Sequence, residues 1–468
     1  MTNPVLEVVA WIFAALAGTL LGWTRLRPFN RSWAGWEFWA LSFIVSQMDG
    51  SPLDNSRLVT SPLEAAFYGL LFALGYAGWM LWHLRLPVVV SALLACSQTL
   101  VWTVFALGAW RLWQLPFPLD VLGVACWGAF LFWLEWSLLP LWGTAQNFAC
   151  SSPANRPFIA WFGTAGGTWS LLCLASWFHA TFSRRNSWLE TVLIGASGIA
   201  IFLALQSIER LWFSPKSNSQ TLRVAVFGWA GNAFDALTEL PAEFQTAARQ
   251  ASEQGARLLV TPEAAIQVQN RAHFRVSLCT LALKYNLALA VGYFDQKQNQ
   301  NCIDFVSAQG EVVSRYVKTH LVPVFERYNA GKGELALMDV DGIQVGGLVC
   351  QDDNFPDIAR KYGKAGAQLL AIPTNDWKGV KDVHFANHRW RALENRFALA
   401  RATSDGISSL TSNSGEVLSS SDHFGEGAKL LVADVAVGSG KATLYAKTGD
   451  WFPVACGLAA IVGLFFAR

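Results

Sequence analysis

The chain has 468 residues, of which 53% are hydrophobic, and its formal net charge is +2. With a mean hydropathy of +0.30, it is too apolar for an ordinary soluble protein, and it is long enough for a membrane part and one further domain. The small charge and the lack of a basic run give no support to nucleic acid binding. Eight cysteines occur without CxxC spacing, which argues against a zinc site or a disulfide framework.

Residues 1–213 are predicted to form a transmembrane helical domain. They contain 19 of the 23 tryptophans, many near the ends of apolar segments, as at membrane interfaces. Segments of membrane-spanning length lie at 4–23, 62–83, 86–110, 118–141, 157–182, 187–213 and 451–467. A shorter segment at 33–48 contains Glu37. With it, residues 1–213 hold about seven spans, and 451–467 is an eighth, C-terminal transmembrane helix.

Charges between the segments predict the orientation. The link 183–186 contains two arginines, which places it in the cytoplasm and residue 214 onward on the opposite face. Three early arginines fit this orientation less well. If 33–48 spans the membrane, Arg25, Arg27 and Arg31 lie outside, against the tendency of basic residues to stay in the cytoplasm. If 33–48 does not span, the N-terminus lies outside. The first segment lacks a basic region before it and other spans follow, so we expect a retained anchor rather than a cleaved signal peptide.

Residues 221–437 are predicted to form an α/β domain after a polar linker at 214–220. Strand-like runs lie at 222–228, 257–261, 287–293, 303–307, 312–317, 343–349, 368–373 and 407–411. Amphipathic helical stretches lie at about 240–254, 271–285, 355–365 and 384–402. Their alternation, with turn residues between them, is typical of a layered α/β fold.

Three of the predicted strands end at a chemically active side chain. Glu263 follows 257–261, Lys318 follows 312–317, and Cys350 ends the run 343–349. A carboxylate, an ammonium and a thiol are the parts of an acyl-transfer site, because a cysteine is nucleophilic only as a thiolate and needs a base or a nearby cation.

The order and spacing of these residues resemble the nitrilase superfamily. The matching residues are Pro262-Glu263, Lys318-Thr319-His320-Leu321-Val322-Pro323, Glu326, Cys350, Thr374-Asn375-Asp376-Trp377 and the helix from His384 to Glu394. Membrane spans before and after such a domain resemble the bacterial apolipoprotein N-acyltransferases. The resemblance implies an αββα sandwich joined to a multi-span helical domain.

The resemblance also implies roles and partners. Cys350 would take an acyl chain from a phospholipid as a thioester and pass it to the N-terminal amine of a diacylglyceryl-cysteine lipoprotein. Glu263 would be the general base, Lys318 would hold the oxyanion, and Glu326 would orient Lys318 or the attacking amine. We expect no cofactor, no metal and a monomer among membrane lipids. The implied location is the bacterial inner membrane, with the catalytic domain on the periplasmic face.

One departure from the family pattern leaves alternatives open. The family acyltransferases carry an aromatic residue and a glutamate after the cysteine, whereas this chain has Gln351 and Asp352. Gln351 removes the aromatic surface that is expected near the acyl chain. Asp352 keeps a carboxylate, but on a shorter side chain. A membrane-tethered nitrilase-type amidase or hydrolase, a divergent conjugal-transfer-associated homologue, and a non-catalytic member remain as alternatives.

Other polar residues have two interpretations each. Asn375, Asp376 and Trp377 either line the same pocket or form an ordinary turn. Glu394 either supports the active-site lysine or pairs with Arg391. Glu135, within 118–141, either faces a polar cavity or reaches the headgroups. Four histidines lack metal-ligand spacing and are expected to be hydrogen-bonded or exposed: His320, His384, His388 and His423.

Overall fold

A computed structural model describes residues 4–25, 40, 61–84, 88–141, 143–146, 156–183, 188–213, 220–229, 240–426 and 429–467. The chain forms two compact units. One unit contains Met1–Pro140, Gln146–Ser214 and Gly449–Arg468, and the other contains Leu141–Ala145 and Pro215–Thr448. The predicted segment 33–48, apart from Ala40, and most of the link 183–186 lie outside the described residues.

The first unit is helical. Its helices are α1 Pro4–Arg25, α2 Pro62–Leu84, α3 Val88–Leu112, α4 Leu119–Leu138, α5 Arg156–Ser183, α6 Trp188–Phe213 and, after the second unit, α13 Trp451–Phe466. Four described stretches are long and apolar enough to cross a membrane: Pro62–Trp82, Val88–Leu112, Leu119–Leu138 and Pro157–Thr181. Shorter apolar stretches are Val8–Leu21, Thr191–Ile201 and Trp451–Phe466.

Helices α1 and α2 touch through their backbones. A Cβ added at Gly18 would lie 1.9 Å from the carbonyl oxygen of Phe72, and one at Gly75 would lie 2.0 Å from that of Ala15. Only glycine fits at these two positions. Such small-residue contacts are a usual way to pack apolar helices where burial from water supplies no driving force.

The second unit has two six-strand ladders. The first sheet has the order β13-β1-β2-β4-β5-β6, and a short strand, β3 (Gln267–Val268), also pairs with β4. Its strands are β1 Thr221–Gly228, β2 Leu258–Val260, β4 Ala288–Asp295, β5 Gln300–Val306, β6 Val312–Val317 and β13 Lys429–Ala436. The second sheet has the order β12-β11-β10-β9-β8-β7. Its strands are β7 Met338–Val340, β8 Ile343–Gly347, β9 Leu369–Thr374, β10 Ala398–Thr403, β11 Ile407–Thr411 and β12 Val417–Asp422.

Apolar side chains from both sheets form one core. Val224 and Ala290 of the first sheet share a buried cluster with Val345 and Leu399 of the second. The unit's helices are α7 Ala242–Glu253, α8 Arg271–Tyr285, α9 Pro356–Lys364, α10 Lys381–Asn395, α11 His423–Glu426 and α12 Leu444–Thr448. Helices α7 and α8 pack on the other face of the first sheet in a separate cluster. The predicted fold class, apolar helices plus a nitrilase-like α/β sandwich, is confirmed.

The predicted helix 384–402 is wrong in its second half. Helix α10 ends at Asn395, because Arg396 takes a left-handed conformation with φ 58°. The following residues form β10, which pairs in parallel with β9. Because β10 is buried along its whole length, it lacks the alternation that separates a strand from a helix in sequence.

Candidate active site

The residues after β2, β6 and β8 meet in the second unit. Glu263 and Lys318 come from the first sheet and Cys350 from the second. All three side chains are buried, with exposed fractions of 5%, 0% and 5%. The structure therefore brings together the carboxylate, ammonium and thiol that the sequence places at three separate strand ends.

Lys318 lies between two carboxylates. Its Nζ donates to Oε1 of Glu263 and to Oε1 of Glu326, both at 2.7 Å. Glu263 is held in place by Nδ2 of Asn301 at 2.7 Å, and Glu326 accepts from the backbone N–H of Val322 at 2.7 Å. Each carboxylate thus has a second donor that fixes its orientation, so the ammonium is held at a defined position.

Cys350 begins a short 3-10 turn, Cys350–Asn354, with a left-handed backbone conformation of φ 45°. Such a conformation is strained for a residue with a β-carbon and is often found at functional sites. The thiol donates to the backbone oxygen of Asn375, with Sγ 3.7 Å from that oxygen, and the Glu263 carboxylate lies near enough to act on it electrostatically. A base is therefore near the nucleophile.

Burial and charge set the protonation of this group. Burial and the nearby Glu263 raise the pKa of the Cys350 thiol well above its ordinary value, against the opposing effect of Lys318. Burial also raises the pKa of Glu263, which makes that carboxylate a stronger base. Burial lowers the pKa of Lys318, but Glu263, Cys350 and Glu326 outweigh it, and the pKa lies well above its usual range. The resting site thus holds a thiol, a base and an ammonium.

Asp352 connects the turn after Cys350 to the loop after Lys318. Its carboxylate accepts from the backbone N–H groups of Thr319 at 3.1 Å and His320 at 2.7 Å, and from the hydroxyl of Tyr316 at 2.8 Å. The side chain is fully buried. The carboxylate of Asp352, a candidate supporting or substrate-binding group, therefore positions the backbone next to Lys318.

Gln351 corrects the expectation that this position faces an acyl chain. Its side chain is 2% exposed, its Nε2 donates to the backbone oxygen of Leu141 at 3.1 Å, and its Oε1 accepts from Asn354 at 2.9 Å. Leu141 belongs to the short segment that joins the second unit. Gln351 therefore anchors that segment, and an apolar ring could not make these two hydrogen bonds.

Asn375 and Trp377 follow β9 at the edge of the site. Asn375 is exposed, and its backbone oxygen is the atom near Cys350. The Trp377 ring lies 5.5 Å from the ring of Phe325, whose exposed fraction is 48%, next to Val324 at 65%. Val324 and Phe325 lie in the same loop as Glu326, so an apolar surface adjoins the active site.

Two other predicted residues lie elsewhere. Glu394 pairs with Arg391 at 3.1 Å, and both are fully buried; among the described residues, the carboxylates that contact Lys318 are Glu263 and Glu326. The intrahelix pair is therefore present and buried, and the support of Lys318 by Glu394 stays a prediction. In the helical unit, Glu135 is 6% exposed and accepts from Ser97 of α3 at 2.9 Å and from Gln98. It faces other polar side chains inside the unit rather than headgroups.

Sequence reasoning placed Asp376 near the pocket but missed its association with three other charged residues next to Cys350. The four residues are here called the buried charge cluster: Asp353, Asp376, His384 and Arg401. His384 lies between the two carboxylates, with Nδ1 2.6 Å from Asp376 Oδ1 and Nε2 2.6 Å from Asp353 Oδ1. Nη2 of Arg401 donates to Asp376 Oδ2 at 2.6 Å. Burial lowers the pKa of His384, but the two carboxylates outweigh it and raise the pKa to about 9.

The other predicted histidines are also hydrogen-bonded. His388 contacts Asp353 at 3.2 Å, and burial lowers its pKa to about 4, so it is neutral at pH 7. His320 contacts Asp352 at 3.0 Å, and His423 contacts the hydroxyl of Ser408 at 2.8 Å.

One set of potential metal donors occurs in the described part of the chain. Cys350, Asp376 and His384 carry donor atoms within 4.8 Å of one another. A ligating imidazole needs one unprotonated nitrogen, whereas both nitrogens of His384 already face carboxylates. The three side chains therefore do not fit a metal ligand set as they stand.

A comparison with protein families matches residues 223–445 to the carbon-nitrogen hydrolase model. The match contains Glu263, Lys318 and Cys350 with the geometry described above. The second unit therefore contains a carbon-nitrogen hydrolase domain. The carbon-nitrogen hydrolase superfamily, which includes the nitrilases, is one of enzymes.

The relatives of this chain include apolipoprotein N-acyltransferases. The chain is 30% identical over 263 residues to an apolipoprotein N-acyltransferase of Geobacter metallireducens, which covers 49% of this chain and 50% of that protein. It is 26% identical over 379 residues to the same enzyme of a Nostoc species, which covers 72% and 73%. The first match thus spans about half the length of the relative. The likeness to apolipoprotein N-acyltransferases inferred from the motifs is confirmed.

Two further similar proteins are a citrullinase and an amidase. A citrullinase of Francisella tularensis is 26% identical over 44% of this chain and 86% of its own length. Among solved structures, an amidase from Nesterenkonia sp. AN1 in complex with butyramide has a TM-score of 0.41 and 26% identity, and covers 47% of this chain and 93% of its own.

Proposed function

We propose that this protein transfers an acyl chain from a phospholipid, through a thioester on Cys350, to the N-terminal amine of a diacylglyceryl-cysteine lipoprotein. The observation that carries the proposal is the buried Lys318 between Glu263 and Glu326, with the buried Cys350 thiol under the electrostatic influence of both Glu263 and Lys318. Apolar helices of membrane-spanning length in the same chain and the named relatives support a lipid substrate.

The first half-reaction forms the thioester. Glu263 takes the thiol proton as Sγ of Cys350 attacks the ester carbonyl carbon of the phospholipid. The carbonyl oxygen becomes an oxyanion beside the Lys318 ammonium, which is already in place and needs no reorganisation. The ester C–O bond then breaks, Glu263 returns the proton to the leaving oxygen, and a lysophospholipid departs.

The second half-reaction releases the acyl chain as an amide. The lipoprotein amine attacks the thioester carbon, Glu263 takes a proton from the nitrogen, and the C–S bond breaks. The thiol of Cys350 is regained with that proton. Glu326, fixed on Lys318 and on the backbone of Val322, keeps the ammonium aligned through both steps.

The apolar loop beside the site fits an acyl donor. Val324 and Phe325 are exposed, and Phe325 lies against Trp377. Burying an acyl tail contributes about 0.8 kcal/mol per methylene, so even a few methylenes against these side chains would favour a lipid donor over a small amide. Soluble amide hydrolases have no need of such a surface.

The proposed setting is the bacterial inner membrane, with the second unit on the periplasmic face. The basic link 183–186 supports this orientation. We propose that the protein works as a monomer among membrane lipids, without nucleic acid, metal or cofactor. The proposed chemistry needs only the acyl donor, the acceptor amine and the side chains named above.

The direct test measures acyl transfer to a diacylated lipopeptide by the full chain in phospholipid vesicles. The wild-type protein should yield triacylated lipopeptide, and Cys350→Ala should yield none. Cys302→Ala is the matched control, because this buried thiol lies on β5 next to Arg315 and has no role in the proposed reaction. Transfer by Cys350→Ala would refute the proposal. Free fatty acid from the wild type without lipopeptide product would instead favour the hydrolase.

A further inference from the structure

The buried charge cluster lies directly behind the nucleophile. Asp353 belongs to the same turn as Cys350, and Sγ of Cys350 lies within 4.8 Å of donor atoms of Asp376 and His384. None of the four cluster side chains is more than 6% exposed. A charge at this distance from a buried thiol acts on it with little screening by water.

The hydrogen bonds of His384 define its charge state. Carboxylates only accept hydrogen bonds, and a neutral imidazole has a single N–H, whereas an imidazolium donates from both nitrogens. Each ring nitrogen of His384 lies 2.6 Å from a carboxylate oxygen, closer than Nη2 of Arg401, which lies 3.3 Å from Nδ1, so the shorter contacts call for the protonated form. Its pKa of about 9 agrees with this.

Protonation of His384 balances the charges of the cluster. Asp353 and Asp376 carry two negative charges, and Arg401 and protonated His384 carry two positive charges. Without the charge on His384, one buried negative charge would stay uncompensated close to Sγ of Cys350. Asp376 already raises the pKa of the Cys350 thiol, so the sign of this effect is fixed.

We propose that His384 is a positioning residue for the nucleophile: its charge neutralises the carboxylates behind Cys350, so that the thiolate forms beside a cluster without net charge. The proposal rests on the proposed function, in which Cys350 is the nucleophile. The other groups that face this region are His388, neutral and in contact with Asp353, and Glu263 and Lys318 near the thiol.

The test measures how fast iodoacetamide alkylates Cys350 in the full chain in detergent, between about pH 6 and about pH 11, which covers the ordinary imidazole and thiol ranges and extends above the latter. Mass spectrometry of the Cys350 peptide assigns the label. We expect His384→Gln to slow alkylation on the order of 10- to 100-fold at neutral pH and to move the midpoint upward. The double variant His384→Gln/Asp376→Asn should recover most of the rate, because it removes one charge of each sign.

A matched control separates charge from packing. His388→Gln removes a buried imidazole one turn further along α10, but this imidazole is uncharged at neutral pH, so the alkylation midpoint should stay in place. An unchanged midpoint in His384→Gln, or a double variant as slow as His384→Gln, would overturn the proposal. If His384→Gln does not fold, Asp376→Asn alone decides: its midpoint should fall, and a constant or higher midpoint overturns the proposal.

Acyl transfer measured on the same samples distinguishes the two proposals. A wild-type protein with the expected alkylation profiles but no lipopeptide product would refute the proposed function and leave the role of His384 standing. Normal acyl transfer with identical alkylation midpoints in wild type and His384→Gln would refute the role of His384 and leave the proposed function standing.

Discussion

Replacing Lys318 with methionine tests whether burial makes this ion pair energetically important. The ammonium is fully buried, and its Nζ lies 2.7 Å from a carboxylate oxygen of both Glu263 and Glu326. Lys318→Met keeps the length of the side chain but leaves two carboxylates facing each other. Removing one partner of a buried ion pair costs about 3–5 kcal/mol.

An exposed ion pair in the same unit provides the control. Arg257 lies 2.6 Å from Asp341, but the two side chains are 39% and 48% exposed. Arg257→Met should therefore cost less than about 1 kcal/mol. Thermal unfolding of the full chain in detergent measures both variants. For a unit of this size, we expect Tm to fall by about 6–20 °C in Lys318→Met and by less than about 4 °C in Arg257→Met.

A third variant shows whether carboxylate repulsion causes the loss. Lys318→Met/Glu326→Gln removes one of the two facing charges, so it should regain part of the lost Tm while acyl transfer stays abolished. Equal Tm values for Lys318→Met and Arg257→Met would refute the reasoning, because distance rather than burial would then set the strength of both pairs.

Three further outcomes are expected. Asp352→Asn removes one acceptor oxygen from the carboxylate that holds the N–H groups of Thr319 and His320. The variant should lower kcat more than it raises KM. Equal kcat values in the variant and the wild type would contradict this role of Asp352. The pKa values of His384 and His320 rise to about 9 from 6.5 on folding. The contribution of these histidines to the stability of the folded state is therefore complete below about pH 6.5 and is lost as the pH rises through about 9. A Tm that is constant over this range would contradict the charged state of the two histidines. Glu135→Gln keeps an acceptor for Ser97 and Gln98 and should stay within about 1 kcal/mol of wild type, whereas Glu135→Leu leaves buried donors unpaired and should cost about 1–3 kcal/mol; equal unfolding of the two variants would show that this acceptor contributes nothing.

The sequence predicts the positions of Glu263, Lys318 and Cys350 because each one follows a strand. They stand at polar breaks after apolar runs, and the structure brings the end of β8 in the second sheet to the ends of β2 and β6 in the first. Glu326 follows Lys318 by eight residues, and it was named from the family resemblance. Local pattern therefore suffices for the first three positions, whereas their roles and Glu326 depend on the resemblance.

The contacts of the neighbouring residues could not be predicted, because they depend on the packing of distant elements. Gln351 binds the backbone of Leu141, more than two hundred residues earlier in the chain. The cluster of Asp353, Asp376, His384 and Arg401 draws on a 3-10 turn, a loop, a helix and a strand. Its one signal in the sequence was a histidine at the start of a helix that follows the Asn375-Asp376 pair, which does not reveal two carboxylate partners.

The central claim is that the sulfur of Cys350 carries the acyl chain. Mass spectrometry of the full chain after incubation with a phospholipid of defined acyl composition, without acceptor, measures this directly. The predicted result is a mass increase equal to one acyl group on the Cys350 peptide, which disappears when the diacylated lipopeptide is added. An unmodified Cys350 under conditions in which lipopeptide is acylated would contradict the account, as would the same acyl adduct on another residue of Cys350→Ala.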